Sequence, residues 1–451
     1  MKFIGEEMKK IDLTEGKVLK VLTSLALPIM ASSLLQFAYN LIDMLWVGGL
    51  GSQAVASVGS SSFFIGLGYA INSLVVIGTS IKVAHAIGKK EDRQVKGYIN
   101  AGLVVNLILA LSYSIILIVL GKSFISFLNI NNQWVENNSY YYLAINGPIL
   151  FFGFYNMLYS KIVGSFGNNK EALRISAVGI TINIIMDPIF IYILKLGVSG
   201  AAIATLISNI VMFLMYRRKT MPFLRYDKNV KLEYIKMKEV FILGLPMSFQ
   251  RILFTLINIA LARIIGVFGS DAIAAQKIGL QIESITYMVV GGLHGAIASF
   301  IGQNYGAKKY NRVLEAYSTA LKIGTVYSMV MAFIFMFLNI PIIKLFIREK
   351  ETVLIASNYL KIVAFSQIFS TIETISNGTF TGLGLPKIPS IISIVFTALR
   401  IPLALIFIRY FEVNGIWLSI CISSILKGVS SYLMYCVVVK RKYKVNKVID
   451  I

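Results

Sequence analysis

The stretch Ala26–Ser57, ALPIMASSLLQFAYNLIDMLWVGGLGSQAVAS, recurs in the second half of the chain as Gly244–Ala275, GLPMSFQRILFTLINIALARIIGVFGSDAIAA. Aligned without a gap, the two stretches share prolines, asparagines, glycines and serines at equivalent places: Pro28 and Pro246, Asn40 and Asn258, Gly48 and Gly266, Gly51 and Gly269, and Ser52 and Ser270. Further along, an offset smaller by one aligns Leu143 with Leu360 and Gly167 with Gly384. The chain is therefore built from two homologous halves.

One aligned pair differs in charge, because Asp43 of the first copy falls on Leu261 of the second. An ionisable side chain inside an apolar segment is costly, so it is a functional hypothesis by default. Since the second copy does without this acid, the shared fold does not require it. Asp43 therefore indicates a site that belongs to the first half.

The composition places the chain in a lipid bilayer. Hydrophobic residues make up 57% of the sequence and charged residues 14%, whereas about a quarter of the residues in a soluble domain are charged. The net charge of +22 does not indicate nucleic acid as a partner, because Lys and Arg stand in the short stretches between apolar segments. The charge is a signal of membrane topology.

Twelve apolar segments are long enough to cross roughly 30 Å of hydrocarbon. They predict an all-α polytopic membrane protein with twelve transmembrane helices in two homologous six-helix bundles and a central cleft. The predicted spans lie near 21–47, 54–84, 98–120, 139–164, 173–194 and 198–216, and near 240–266, 272–302, 314–340, 355–381, 388–410 and 414–438.

The domains follow from these spans. Residues 1–216 are predicted to form the N-terminal lobe, 217–238 a cytoplasmic linker and 239–451 the C-terminal lobe. Most loop Lys and Arg fall in the even-numbered connections, which places both termini in the cytoplasm by the positive-inside rule. Two parallel six-helix repeats around a midplane site are the build of secondary transporters.

Polar side chains recur on three spans of the first lobe. Asn40 and Asp43 are three residues apart on the first span, Asn183 and Asp187 are four apart on the fifth, and Thr205 lies on the sixth. Each spacing places its pair on one helix face. Their oxygen atoms suit Na⁺ or a shared proton rather than a soft metal. The alternative is a hydrogen-bonded cluster that only fixes helix packing.

The sequence gives weaker signals for residues that line a substrate cavity than for the polar residues of the first lobe. The predicted set is Glu373, Glu283, Gln281, Asn156, Met157 and Met288. Glu283 is either a cavity acid or the structural partner of an arginine such as Arg251. Glu373 is a candidate because a cavity for lipophilic cations needs negative charge, and methionine offers a polarizable, adaptable surface.

The motifs P-x(n)-N-x-x-D followed by VGGLG in the first span, and NIIMDP in the fifth, resemble the multidrug and toxic compound extrusion (MATE) family over nearly the whole chain. The resemblance is to prokaryotic members. Because the seventh span has no acid, the chain is closer to the DinF-like branch than to the Na⁺-driven NorM-like branch.

The resemblance implies a cation or proton site at Asp43, Asn183, Asp187 and Thr205. It implies antiport in which H⁺ or Na⁺ enters while amphipathic, usually cationic, organic compounds leave, with no cofactor besides the coupling ion. We expect a monomeric, multi-pass protein of a bacterial or archaeal cytoplasmic membrane.

Two alternatives stay open. A lipid-linked precursor flippase of the same superfamily would carry a different cargo, although such proteins usually have more than twelve spans. A polytopic membrane enzyme would need a catalytic cluster at one membrane face, and the sequence has only two histidines and two cysteines. No enzyme is therefore expected, and the choice between H⁺ and Na⁺ stays open.

Overall fold

The computed structural model describes residues 12–128, 130, 132–218 and 221–442, and these ranges form helices without any strand. The helices of the first half are α1 Val18–Gly48, α2 Ser52–Gly88, α3 Asp92–Ser126, α4 Gln133–Ser165, α5 Asn169–Pro188 and α6 Gly197–Tyr216. A π-helix, Ile189–Ile193, follows α5 directly after Pro188, whose missing N–H already removes one bond from the regular ladder of α5.

The second half repeats this order with more breaks. Its helices are α7 Tyr234–Ile265, α8 Ser270–Gly306, α9 Tyr310–Phe337, α10 Asn339–Ile343, α11 Lys350–Ala364, α12 Gln367–Gly382, α13 Lys387–Ala398, α14 Arg400–Phe411 and α15 Val413–Met434. Pro402 has no N–H to donate to the carbonyl of Ala398, and the chain breaks between α13 and α14 at Leu399.

Helix length and composition support a membrane-spanning fold. Among the described residues, ten helices are long and apolar enough to cross a bilayer, and α11 with α12 makes an eleventh span that is bent by 56°. The remaining segment, α4, has 33 residues, which corresponds to about 50 Å at 1.5 Å per residue. The all-α polytopic fold predicted from the sequence is confirmed.

Equivalent positions in the two halves of the chain also share unusual backbone angles. Lys90 and Lys308 turn from one helix to the next with φ of 61° and 59°. Gly51 and Gly269 have φ of 101° and 96°, a region that glycine enters without steric cost. Both pairs keep the offset that aligns Pro28 with Pro246, so the two halves share their turns as well as their helices.

The described chain divides into two compact units whose bounds differ from the predicted lobes. The first contains Ala31–Ser248, and the second contains Leu13–Met30 together with the described residues from Phe249 onward. Helix α1 is therefore divided two residues after Pro28, and α7 two residues after Pro246. A proline interrupts the helical hydrogen-bond ladder, so each division lies next to a weakened point of its helix.

In the first unit, the predicted linker contacts helix α3 through Asp227. Lys96 Nζ lies 2.8 Å from Asp227 Oδ2, and Asn100 donates to the Asp227 carbonyl at 2.8 Å. The hydrogen bond from Lys96 holds the pKa of the Asp227 carboxyl below its usual range. Residues 234–238 of the predicted linker already belong to α7.

The second unit holds the residues before α1 in a comparable way. Asn304 Nδ2 donates to the carbonyl of Leu13 at 3.0 Å, and Arg312 Nη1 donates to the carbonyl of Gly16 at 2.7 Å. Leu13 itself is fully buried in the apolar core of this unit. The start of α1 is therefore anchored by polar contacts and by hydrophobic burial.

Glycines set the closest helix crossing of the first unit. A Cβ atom added to Gly78 of α2 would lie 1.9 Å from the carbonyl oxygen of Val240, and one added to Gly244 of α7 would lie 1.7 Å from that of Leu74. Small residues let membrane helices approach closely, and this approach is a main source of their association. Both glycines are therefore structural requirements of the contact between α2 and α7.

We predict that Gly78→Ala destabilises the protein, because the added methyl group forces α2 and α7 apart at a cost of about 1–3 kcal/mol. Gly66→Ala is the matched control in the same helix, since its Cβ would meet nothing within 4 Å. Thermal unfolding in detergent should show a lower midpoint for Gly78→Ala only. Equal midpoints for the two variants would contradict the role of this crossing.

Candidate functional site

Asp187 is a fully buried acid in the last turn of α5. Its Oδ2 atom lies 2.8 Å from the side-chain nitrogen of Asn183, one turn earlier in the same helix. Its Oδ1 atom is also buried but accepts no hydrogen bond from the described residues. Buried polar atoms in folded proteins are nearly always bonded, so the free Oδ1 atom marks a position where a proton or cation would be stabilised.

Asn183 and Thr205 orient this acid. With its amide nitrogen toward Asp187, the side-chain oxygen of Asn183 lies 3.1 Å from the backbone nitrogen of Thr205 and 3.2 Å from its Oγ1. The spacing of Asn183 and Asp187 brings them together within α5, whereas Thr205 reaches them from α6. In this arrangement Asn183 is a hydrogen-bond donor to the carboxylate, so it positions Asp187 rather than presenting its own oxygen to an ion.

Asp43 is the second acid of the site. It is half-buried on α1 and interacts electrostatically with Asp187. Within the ranges that the structure describes, neither Asp43 nor Asp187 forms an ion pair within 4.0 Å. Two neighbouring carboxylates without a basic partner repel each other, and binding of a proton or a cation relieves that repulsion.

Two tyrosines belong to the site and were not predicted. The hydroxyl of Tyr39 lies 3.4 Å from Thr205 Oγ1, and both Tyr39 and Tyr142 interact electrostatically with the two acids. Tyr39 precedes Asp43 by four residues, so helical spacing was a usable signal. Tyr142 comes from α4, and nothing in its local sequence indicates this neighbourhood.

Asn40 is not brought to this site. Its side chain is exposed, and its Oδ1 atom accepts a hydrogen bond from Gln36 Nε2 at 3.3 Å. A spacing of three residues from Asp43 placed both on one side of α1, but the two side chains differ by about 60° around the helix axis at 100° per residue. That difference is enough to turn Asn40 away from Thr205.

The atoms at the site that could bind a cation are carboxylate, hydroxyl and phenol oxygens, together with the amide of Asn183. Such a set suits Na⁺ or a proton, because hard cations prefer oxygen ligands. Asp43, Asp187 and Thr205 would hold the ion, with Asn183 fixing Asp187.

The predicted cavity residues fall into both units. In the first unit, Asn156 Nδ2 is bonded to the carbonyl of Asn209 at 2.9 Å, and Met157 packs against the apolar core. In the second unit, Gln281 and Met288 are half-buried on α8. The role of these four residues in substrate binding therefore stays a prediction.

The two predicted cavity acids of the second unit, Glu283 and Glu373, have partners for both carboxylate oxygens, whereas Asp187 has a partner only for Oδ2. Glu283 is buried and accepts hydrogen bonds from Tyr359 and from Gln367, the latter at 3.0 Å. The arginine in electrostatic contact with it is Arg400, not Arg251. Glu373 is buried in an ion pair with Lys427, described below.

A bundle of apolar helices that holds an unpaired acid pair is the architecture of a membrane transporter rather than of a soluble binding protein. The family model MatE matches residues 28–189 and 246–406, more than half of the chain. The chain belongs to this family of membrane transporters. The two matched segments begin at Pro28 and Pro246, the prolines that the internal repeat aligns.

Individual proteins are similar along most of their length. The "Probable multidrug resistance protein YoeA" of Bacillus subtilis is 29% identical over 413 residues, which cover 86% of this chain and 87% of that protein. The "Probable multidrug resistance protein YpnP" of the same organism is 26% identical over 95% of this chain and 97% of its own length. A solved structure, "Crystal structure of MATE in complex with MaL6", has a TM-score of 0.90 at 23% identity and covers 98% of this chain and 99% of its own.

We predict that Tyr39→Phe weakens binding of a proton or Na⁺ at this site by about threefold to tenfold, because loss of the hydrogen bond that positions Thr205 Oγ1 removes about 0.5–1.5 kcal/mol. Asn40→Ala, the adjacent change, should leave the affinity within about twofold of wild type. Titrations with Na⁺ and with protons, followed by the tryptophan fluorescence to which Trp46 near Asp43 contributes, measure both variants. A larger loss for Asn40→Ala would contradict the arrangement described here.

Proposed function

We propose that the protein is a secondary active antiporter that exports amphipathic, mostly cationic organic compounds in exchange for H⁺ or Na⁺. The observation that carries the proposal is the buried, unpartnered Oδ1 atom of Asp187 beside a second acid, Asp43. The names of the relatives, which describe multidrug resistance proteins, support this class of cargo.

The chemistry of the exchange follows from the two acids. When both are ionised in an apolar surrounding, their repulsion favours uptake of one proton or one Na⁺. The bound ion removes that repulsion and alters the relative stability of two conformations of the first unit. Export is driven if the ion and the cargo favour opposite conformations, since such coupling is reciprocal.

The proposed setting is a bacterial or archaeal cytoplasmic membrane, with both termini in the cytoplasm and the protein acting as a monomer. The positive-inside distribution of Lys and Arg supports this orientation. The linker between the lobes, 217–238, would then lie on the cytoplasmic side, where its ion pair between Lys96 and Asp227 is accessible to water.

We predict that Asp43→Asn and Asp187→Asn each reduce gradient-driven efflux at least tenfold, because either change removes the charge that the ion neutralises. The assay is efflux of a fluorescent cation from proteoliposomes, with Na⁺ and H⁺ gradients imposed separately. Glu315→Gln, an exposed acid of α9, is the control and should transport as wild type does. Near wild-type efflux by either Asp variant under both gradients would contradict the proposal.

We further predict that Pro28→Ala impairs transport more than Pro246→Ala. The two prolines are equivalent in the repeat, and each interrupts the hydrogen-bond ladder of its helix. Only the helix of Pro28 also carries an acid of the site, because Asp43 is replaced by Leu261 in α7. Measuring both variants in the same efflux assay tests this prediction. Equal impairment would contradict it, because the two prolines would then contribute equally although only one repeat carries the acid.

A further inference from the structure

The second unit contains a lysine in the apolar interior of its last span. Lys427 of α15 is 7% exposed, and its Nζ atom lies 3.1 Å from Glu373 Oε2 of α12. The other oxygen of Glu373 accepts a hydrogen bond from Ser393 Oγ of α13 at 2.8 Å. Both oxygens of this buried carboxylate therefore have partners, whereas only one oxygen of Asp187 has one.

The first half of the chain has neither charge at the equivalent positions. Glu373 corresponds to Asn156 at the offset that aligns Leu143 with Leu360. Gly415 of α15 and Gly200 of α6 both lie against the carbonyl of a phenylalanine, which makes them structural equivalents. Twelve residues after each glycine stand Lys427 and Met212. The second copy thus has an acid and a base where the first has an amide and a thioether.

The surroundings of the ion pair are also balanced in charge. Arg400 donates to Ser423 Oγ at 3.0 Å and to Ser424 Oγ at 3.3 Å, and it interacts electrostatically with both Lys427 and Glu283. The cluster contains two acids, Glu283 and Glu373, and two bases. The site in the first unit contains two acids and, among the described residues, no base within ion-pair distance.

We propose that Lys427 is a covalently attached counter-ion that neutralises Glu373 in place of a coupling ion, and that it thereby confines ion coupling to the site around Asp187. A buried carboxylate needs a positive partner or a proton. An ion that binds from water can dissociate during a transport cycle, whereas the ammonium of Lys427 is tethered to α15. Glu373 is therefore neutralised throughout the cycle, and the second unit contributes no ion-dependent step.

This inference rests on the proposed function for the identity of the coupling ion, but its first test counts bound ions without transport. Wild type, Lys427→Met, Glu373→Gln and the double variant are compared as full chains in lipid nanodiscs. Lys427→Met introduces the residue that the first copy has at this position. Bound ²²Na⁺ is counted at equilibrium, and protonated carboxyl groups are detected by their infrared C=O band.

Lys427→Met should gain one equivalent relative to wild type, either as a bound Na⁺ or as a protonated carboxyl group. Adding Glu373→Gln should abolish that gain, which assigns it to Glu373. The thermal midpoint should fall for Lys427→Met and recover in the double variant, because the double variant leaves no unpaired charge. A folded Lys427→Met protein that gains neither ion nor proton would overturn the proposal.

A second measurement covers the case in which Lys427→Met does not fold. The double variant carries no charge at either position, so it should keep the wild-type ratio of ions to cargo, read from the reversal potential in proteoliposomes. A changed ratio would show that the ion pair takes part in coupling and would overturn the proposal. Failure of the proposed function is distinguishable, because wild type would then show no gradient-driven efflux at all.

Discussion

The cost of burying a charge among apolar helices governs the functional organisation of this protein. A carboxylate inside a membrane span is tolerated only with a proton, a cation or a basic partner. The second unit gives Glu373 an ion pair with Lys427 and gives Glu283 two hydrogen bonds. The first unit leaves one oxygen of Asp187 without a partner among the described residues. In the proposed mechanism, that difference separates a cluster neutralised by its own base from a site that takes up a proton or cation from water.

Backbone interruptions and small residues place these side chains. Pro188 follows Asp187 directly and is followed by a π-helix, while the break at Leu399 precedes Arg400. Proline breaks the regular ladder at both places. Elsewhere, Gly78 and Gly244 allow two backbones to approach within a distance that no side chain would permit. The polar groups are thus fixed by helices whose own geometry is set by a few prolines and glycines.

Some contacts in the candidate site could be predicted from the sequence because they depend only on spacing along one helix. Asn183 and Asp187 are one turn apart, so their contact follows from helical geometry alone. Helical spacing did not determine the direction of the Asn40 side chain, which is exposed and accepts a hydrogen bond from Gln36, so its part in the ion site stays a prediction. By contrast, Tyr142 interacts with acids on two other helices, and the ion pair of Glu373 with Lys427 also connects two separate helices. Local patterns carry no information about which side chains of separate helices meet.

The sequence by itself determined the membrane class, the repeat, the apolar spans and the presence of an acid in only one copy. These are properties of composition and periodicity, which the hydrophobic effect and backbone hydrogen bonding translate directly into helices in a bilayer. The tertiary structure decided which acids are neutralised by a base and which are not. It also decided that the starts of α1 and α7 belong to different compact units from the rest of their own helices. Both outcomes depend on packing between helices distant in sequence, where distances of a few ångströms decide the electrostatic energy.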